Sequence, residues 1–416
     1  MRQIDLAIIG GGSAGMAAAI SAYDEGIRDI VIFDKDDHLG GILFQCIHSG
    51  FGLQEFKEQL SGPEYAERFI KQIQERKIKY CLNTTVLEIT KDKILKYSNA
   101  EEGYCEVQAK AIVLASGCRE RTRGSIDIPG DRPSGVMTAG IAQHYLNIDG
   151  YLPGKRVFIL GSGDIGLIMA RRMTLEGAKV LGVAELMPYS NGLNRNIVQC
   201  LHDFDIPLYL SHTVVKIIGK ERVEKIVIAK VDDKLKPISG TEKEFEVDTL
   251  LLSVGLIPDT DLIAHIGVPM NRRTRGALVN ESLETEVSGI FSCGNALHVH
   301  DLVDFVTAEG RIAGVSASKY IKGLLKEDEQ VLTTKALNGV GYIVPEKVNL
   351  ANVDKEITLK FRVMKPYQNV RVLIKVNGVE VRKIFKPFML PSEMENIVVN
   401  KDLLKESGEL TVEVSE

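Results

Sequence analysis

Residues 4–34 read IDLAIIGGGSAGMAAAISAYDEGIRDIVIFD, and their grammar decides the fold of the first part of the chain. Ile4 to Ile9 is an apolar run broken only by Asp5, the pattern of a parallel strand buried on both faces. Gly10-Gly11-Gly12-Ser13-Ala14-Gly15 follows, then an alanine-rich stretch predicted helical to about Tyr23, then a second strand, Ile30 to Phe33, ending at Asp34. This is a βαβ unit whose turn is G-x-G-x-x-G. The first glycine makes the tight turn, the second lets the backbone approach a pyrophosphate, and the third lets the helix pack closely on the strand. The helix N-terminus offers N–H groups and a positive dipole end to an anion, and the acid at the end of the second strand accepts from ribose hydroxyls.

The same device returns at residues 157–185, VFILGSGDIGLIMARRMTLEGAKVLGVAE. Here Gly161, Gly163 and Gly166 are the glycines, Val157 to Leu160 and Val180 to Ala184 the strands, and Glu185 the acid. In both copies the acid lies 19 positions after the third glycine (34 − 15 and 185 − 166). One such turn is weak evidence. Two, each with strand, helix and acid in place, predict two dinucleotide-binding domains.

The remaining organisation follows from these anchors. Leu43 to Gln74 reads as helix or loop, and Thr84 to Ile89, Glu106 to Gln108 and Ala111 to Ala115 as strands. Leu152-Pro153-Gly154-Lys155 reads as the linker into the second unit. Val214 to Ile218, Val223 to Lys230, Thr249 to Val254 and Gly289 to Ser292 are further strands, and a helix runs from about Leu302 to Leu325. Beyond Gln330 apolar and polar residues alternate, and Asn377-Gly378 between two such runs is a hairpin signal. The predicted fold is therefore α/β, with two Rossmann-like three-layer dinucleotide-binding domains plus a small C-terminal all-β, sandwich-like domain. The expected boundaries are 1–150 and 275–328 for the first domain, 151–274 for the second and 333–416 for the β domain.

Bulk properties narrow the function class. The 416 residues carry a formal charge of −5, with 44% hydrophobic and 26% charged residues, which gives no electrostatic reason to expect nucleic acid. No apolar run approaches a transmembrane span, and no basic stretch precedes the first strand, so the expected location is cytoplasmic. The six cysteines are scattered without a C-x-x-C pair, so no metal site is read from them.

With these motifs on the page, the chain resembles the pyridine nucleotide-disulfide oxidoreductase family over residues 1 to about 328, which implies that the two Rossmann-like three-layer units are FAD/NAD(P)-binding domains, the second inserted in the first. Asp34-Lys35 with Gly40-Gly41, Ala115-Ser116-Gly117, Ser253-Val254-Gly255 with Pro258, and Ile290 to Asn295 match its further segments. The resemblance implies FAD contacts at Gly10, Gly12, Ser13, Ala14, Gly15, Asp34, Lys35, Gly41, Val86, Ala115, Ser116, Gly117, Gly294, Asn295 and Val303. It implies nicotinamide dinucleotide contacts at Gly161, Gly163, Asp164, Ile165, Glu185 and Gly255. Glu185 favours NAD(H) over NADP(H), since a carboxylate pairs with two hydroxyls and repels a 2′-phosphate.

Three departures bear on activity. A single cysteine, Cys46, follows Gly40-Gly41 where the disulfide reductases carry a pair; a β module replaces their C-terminal domain; and Ile168 replaces a usual helix glutamate. Disulfide reduction by a dithiol relay is therefore not expected. Gly294-Asn295, Val299 to Asp304 and Glu309-Gly310 resemble a subgroup that supplies subunits of multi-component dehydrogenases, such as hydrogen cyanide synthase, opine oxidase and dye-linked proline dehydrogenase, and flavoproteins accompanying glycerol-3-phosphate dehydrogenase. A partner flavoprotein dehydrogenase or a homo-oligomer is thereby implied.

Cys46, His48 and His300 are the candidate catalytic residues, with His298 nearby. Asp301 or Asp304 is expected to cap the following helix, and Glu309 and Arg311 to face solvent. The alternatives are a single-cysteine NADH-dependent peroxide or thiol reductase using Cys46, and a non-catalytic FAD-bearing assembly subunit. Residues 333–416 are expected to be dispensable for both cofactor sites.

Overall fold

The computed structural model describes residues 1–327 and 330–416, so the boundary expected at 328 lies outside the described residues. The chain forms two compact units, one of Met1–Cys118 with Pro258–Glu416, the other of Arg119–Ile257.

In the first unit, strands Lys79–Cys81, Ile30–Phe33, Arg2–Ile9 and Gly103–Leu114 lie side by side in that order, and Ile290–Ser292 pairs in parallel with the last of them. The register aligns Leu6 with Ile30 and Ala111, and Val113 with Phe291. The facing stretches Leu6–Ile9, Ile30–Phe33 and Ala111–Leu114 are apolar and buried on both faces. Helix Ser13–Asp24 is almost wholly buried, and its alanines admit close contact with helix Val303–Ile321. A Cβ at Gly310 would lie 2.3 Å from the Ala14 carbonyl oxygen, and one at Gly314 2.2 Å from that of Ala18. The small residues thus set the helix separation.

One strand, Gly103–Leu114, runs where two short ones were expected. Its first half pairs with Ile94–Asn99, a strand that the sequence reading missed.

The second unit has a parallel sheet ordered Val136–Thr138, Thr249–Leu252, Arg156–Leu160, Lys179–Glu185, Leu208–Leu210, and a three-stranded antiparallel sheet from His212 to Glu246. Its edges differ from the expected 151–274 for a packing reason. Val136–Thr138 completes the parallel sheet, and Ala139, Ala142 and Leu146 join its core. Downstream, Ile263, Ile266 and Val268 belong to the core of the first unit instead.

Residues from Val331 onward form two sheets around one shared core, as a sandwich does. One is ordered Lys347–Asn349, Val331–Ala336, Gly408–Ser415, Tyr367–Val376, Val379–Met389; the other is Val340–Val344, Glu356–Val363, Glu395–Asn400. Asn377 and Gly378, both at positive φ, make the expected hairpin turn.

This domain is part of the first unit rather than a separate body. Val344 lies in the core of the N-terminal sheet. The Glu346 carboxylate accepts from Val279 N at 3.1 Å and from Asn271 Nδ2 at 2.8 Å, and Asn349 N donates to Glu281 at 2.7 Å. The strand Glu356–Val363 turns Ile357, Leu359, Phe361 and Val363 inward. From its other face Lys360 and Arg362 pair with Glu309 and Asp301 of the preceding domain.

Candidate functional site

The two glycine loops fold alike down to individual hydrogen bonds. In the first, Gly11 N–H donates to Asp34 Oδ2 and Asp36 N–H donates to Oδ1 at 2.9 Å. In the second, Ser162 donates to Glu185 Oε2 through N (2.9 Å) and Oγ (2.6 Å), and Met187 N–H donates to Oε1 at 2.9 Å. Each acid thus ties the residue between the first two glycines to the turn after the second strand. Burial pushes the Asp34 carboxyl above its usual range, against the pull of the N–H groups of Asp36 and Gly11.

The glycines are required where they stand. Gly10 and Gly161 have φ of 101° and 96°. A Cβ at Gly15 would lie 1.8 Å from Gly10 O, and one at Gly166 2.7 Å from the Ser253 Cβ. Gly12 is different, because a Cβ there would meet nothing within 4 Å. That open space sits at the N-cap of helix Ser13–Asp24, which no side chain caps. Free volume in front of first-turn N–H groups fits a pyrophosphate. Gly40 N–H donates to Gly11 O at 2.8 Å and a Cβ at Gly41 would lie 3.4 Å from Gly12 Cα, so the Gly-Gly pair borders the same cradle.

Other expected positions are brought to this end of the sheet. Ala115 N–H donates to Ile9 O at 2.8 Å, and Ser116 Oγ to Asp259 O at 2.6 Å. Gly294 abuts the first turn of the helix, where its Cβ would lie 2.8 Å from that of Ala14. Asn295 turns its Oδ1 to His300 N–H at 3.0 Å. Val303 opens the long helix, Lys35 is exposed, and Val86 lies half-buried on strand Thr85–Ile89. In the second loop, Asp164 and Ile165 begin the helix, where Asp164 Oδ1 accepts from Leu193 N (2.9 Å) and Asn196 Nδ2 (2.6 Å). Gly255 is exposed at φ 105°.

Cys46 does not have the setting of a reactive thiolate. Desolvation pushes its thiol up to about 12, and S–H donates to Ile42 O at 3.3 Å. His48 packs by Phe51 with ring centroids 5.0 Å apart, and its Nδ1 lies 3.2 Å from Ser49 O. No disulfide occurs among the described residues.

Glu309 overturns the expectation of a solvent-facing charge: its side chain is fully buried. It accepts from Gly294 N at 2.7 Å, His298 Nε2 at 2.9 Å, His300 Nε2 at 3.0 Å and Lys360 Nζ at 2.5 Å. Burial alone would raise this carboxyl, but Lys360, His300 and His298 together hold it well below the usual range. An ionised carboxylate only accepts, so both imidazoles present Nε2–H to it. Their Nδ1 atoms are buried without a hydrogen-bond partner among the described residues. Burial pushes His298 down to about 4. Two imidazoles and a carboxylate are a donor set that metals also use, yet here the Lys360 ammonium supplies the positive charge.

Neither expected aspartate caps the long helix. Asp304 accepts from Glu55 N (2.9 Å) and Gly52 N (3.3 Å), and Asp301 accepts from Arg362 and from Met394 N (2.7 Å). Arg311, partly exposed, pairs with Glu55. Sequence reasoning missed Glu309 and Lys360 as site residues. A helical glutamate and a strand lysine 51 positions on each read as a solvated charge, and only their pairing says otherwise.

The family model described as pyridine nucleotide-disulphide oxidoreductase matches residues 4–310. The chain belongs to that family. Its members use FAD and pyridine nucleotides. The chain is 27% identical over 294 residues to the hydrogen cyanide synthase subunit HcnB of Pseudomonas protegens, covering 65% of this chain and 60% of that protein. It is 26% identical over 316 residues to an NADH oxidase of Methanocaldococcus jannaschii, covering 73% and 64%. It thus spans less than two thirds of the length of these relatives. Among solved structures, T. acidophilum thioredoxin reductase matches with a TM-score of 0.62 at 24% identity, over 77% of this chain and 99% of that one, which shows the shared fold. No helix among the described residues is long and apolar enough to cross a membrane.

Proposed function

We propose that this chain is an FAD-dependent oxidoreductase that passes electrons between NAD(H) and a second acceptor or partner dehydrogenase, a glycerol-3-phosphate-type dehydrogenase being one candidate class. The observation that carries the reading is the pair of glycine loops with their acid-to-loop hydrogen bonds, in a chain of this family. When bound, the flavin and nicotinamide supply the hydride and electron chemistry. The chain's own part is to hold two pyrophosphates at helix N-termini, orient two riboses through Asp34 and Glu185, and keep the first loop against Gly294. The name of the hydrogen cyanide synthase relative, a subunit, supports the partner reading.

The purified protein should be yellow, and NADH should bleach it anaerobically faster than NADPH. Glu185→Ala should slow reduction by NADH and narrow that gap. Equal or faster reduction by NADPH in the unaltered protein would remove the NAD(H) preference, and a chain that neither carries nor takes up FAD would remove the whole reading. Steady NADH oxidation with artificial dyes separates an enzyme from a non-catalytic flavin-bearing subunit.

The high thiol pKa weighs against a peroxide or thiol reductase built on Cys46. Cys46→Ser should accordingly leave NADH-driven dye reduction unchanged, as followed by absorbance. A sulfenate trapped at Cys46 during turnover would restore that alternative.

A further inference from the structure

We propose that the C-terminal β domain completes the flavin site: Lys360 is a positioning residue that, through Glu309, fixes the Gly294 segment against the first glycine loop. The proposal rests on the reading of that loop as the FAD site. A continuous chain of contacts runs from one domain to the other. Lys360 Nζ donates to Glu309 Oε1 at 2.5 Å, while Gly294 N–H donates to Oε2 at 2.7 Å. Gly294 in turn lies against Ala14, in the first turn of the helix and two residues past Gly12 with its open space. Gly310, the residue after Glu309, also lies close to the Ala14 backbone. Arg362, two residues on and on the same strand face, donates to Val299 O at 3.0 Å and pairs with Asp301. Two cations on one strand face therefore hold both ends of the 294–301 segment.

A buried carboxylate needs a compensating charge. The groups facing Glu309 are His298 and His300 from its own domain, Cys293 at the end of the neighbouring strand, and Lys360 and Tyr342 from the β domain. Burial raises both the Cys293 thiol and the Tyr342 phenol, so neither offers charge near neutrality. Lys360 places its Nζ 2.5 Å from Glu309 Oε1.

This assigns opposite pH slopes to the unaltered protein and to a variant without the cation. In the unaltered protein the folded state holds Glu309 and His298 below their ordinary values. Both contributions are present above the unfolded values and are lost on acidification, that of His298 between about 6.5 and about 4. Without Lys360, the buried carboxylate is left uncompensated, and taking up a proton within the cluster removes that penalty, so the variant gains stability as pH falls.

The test measures FAD retained per chain and the thermal midpoint from pH 5.5 to 8.5 for the full chain, Lys360→Met, Lys360→Arg and Lys360→Met with Glu309→Gln. Lys360→Met should bind FAD at least about tenfold more weakly at pH 8 and recover on acidification, the reverse of the unaltered protein. Lys360→Arg should restore retention, and the double variant should regain it at pH 8 without the pH slope. Lys365→Met, at an exposed lysine of the same domain, is the control expected to change nothing. If Lys360→Met keeps its flavin with the normal slope, or if Glu309→Gln does not rescue it, the positioning role is overturned. Should the unaltered protein take up no FAD at all, the flavin reading fails, while the inverted slope of the thermal midpoint still tests the charge pair.

Discussion

Gly15→Ala is expected to yield no folded protein, whereas Gly12→Asp yields a folded but colourless one. The methyl group added at position 15 would stand 1.8 Å from Gly10 O, a backbone atom of a residue held by its own hydrogen bond to Phe33. No rotamer relieves such an overlap, so the cost exceeds the roughly 1–3 kcal/mol of ordinary overpacking. At Gly12 the added side chain enters open space, so the fold survives while a negative charge stands where a pyrophosphate would bind. Soluble yield, thermal midpoint and the absorbance ratio of flavin to protein separate the two variants. A yellow Gly12→Asp protein would show that the first loop does not hold the dinucleotide. A stable Gly15→Ala protein would contradict the helix–strand contact.

Ending the chain at Gln330 is the second change with a large expected effect. From the sequence, the β domain looked dispensable for the cofactor sites. In the structure its removal strips Lys360 from buried Glu309, Arg362 and the Met394 N–H from Asp301, and Glu346 from Val279 and Asn271. Breaking one buried pair costs roughly 3–5 kcal/mol, against a total stability of roughly 5–15 kcal/mol for a typical domain. The truncated chain should therefore be insoluble or, if recovered, flavin-free and readily cleaved by trypsin. A soluble, yellow truncation with the full thermal midpoint would mean that the β domain is only an appendage.

These two cases mark what the sequence makes legible. The glycine loops were readable because each position answers a local demand: a positive φ at Gly10, a helix–strand contact at Gly15, an acid at the end of the next strand. The β domain was readable as strands, since alternation reports a sheet with one face in a core. What covers the other face is not local information. Lys360 and Arg362 look like ordinary solvated residues of an amphipathic strand, and Glu309 like the polar side of a helix. Their burial follows from two elements meeting across 51 to 61 residues of sequence. The domain boundaries shifted for the same reason, because Val136–Thr138 finds its place beside Thr249–Leu252, a neighbour that no local pattern announces.

The interrupted order of the first unit has a consequence for synthesis on the ribosome. Its sheet is closed by Ile290–Ser292 beside Gly103–Leu114, and helix Ser13–Asp24 is covered by Val303–Ile321. The N-terminal strands and helix Ser13–Asp24 therefore emerge with part of their apolar cover missing and wait while the continuous segment Arg119–Ile257 is made. At about 5–20 residues per second the interval from Cys118 to Ile321 lasts roughly 10–40 s. The later-starting unit can finish first, and the earlier one must be shielded until Val303–Ile321 has been made. Chaperone dependence should accordingly belong to the first 118 residues, and to slow rather than fast translation.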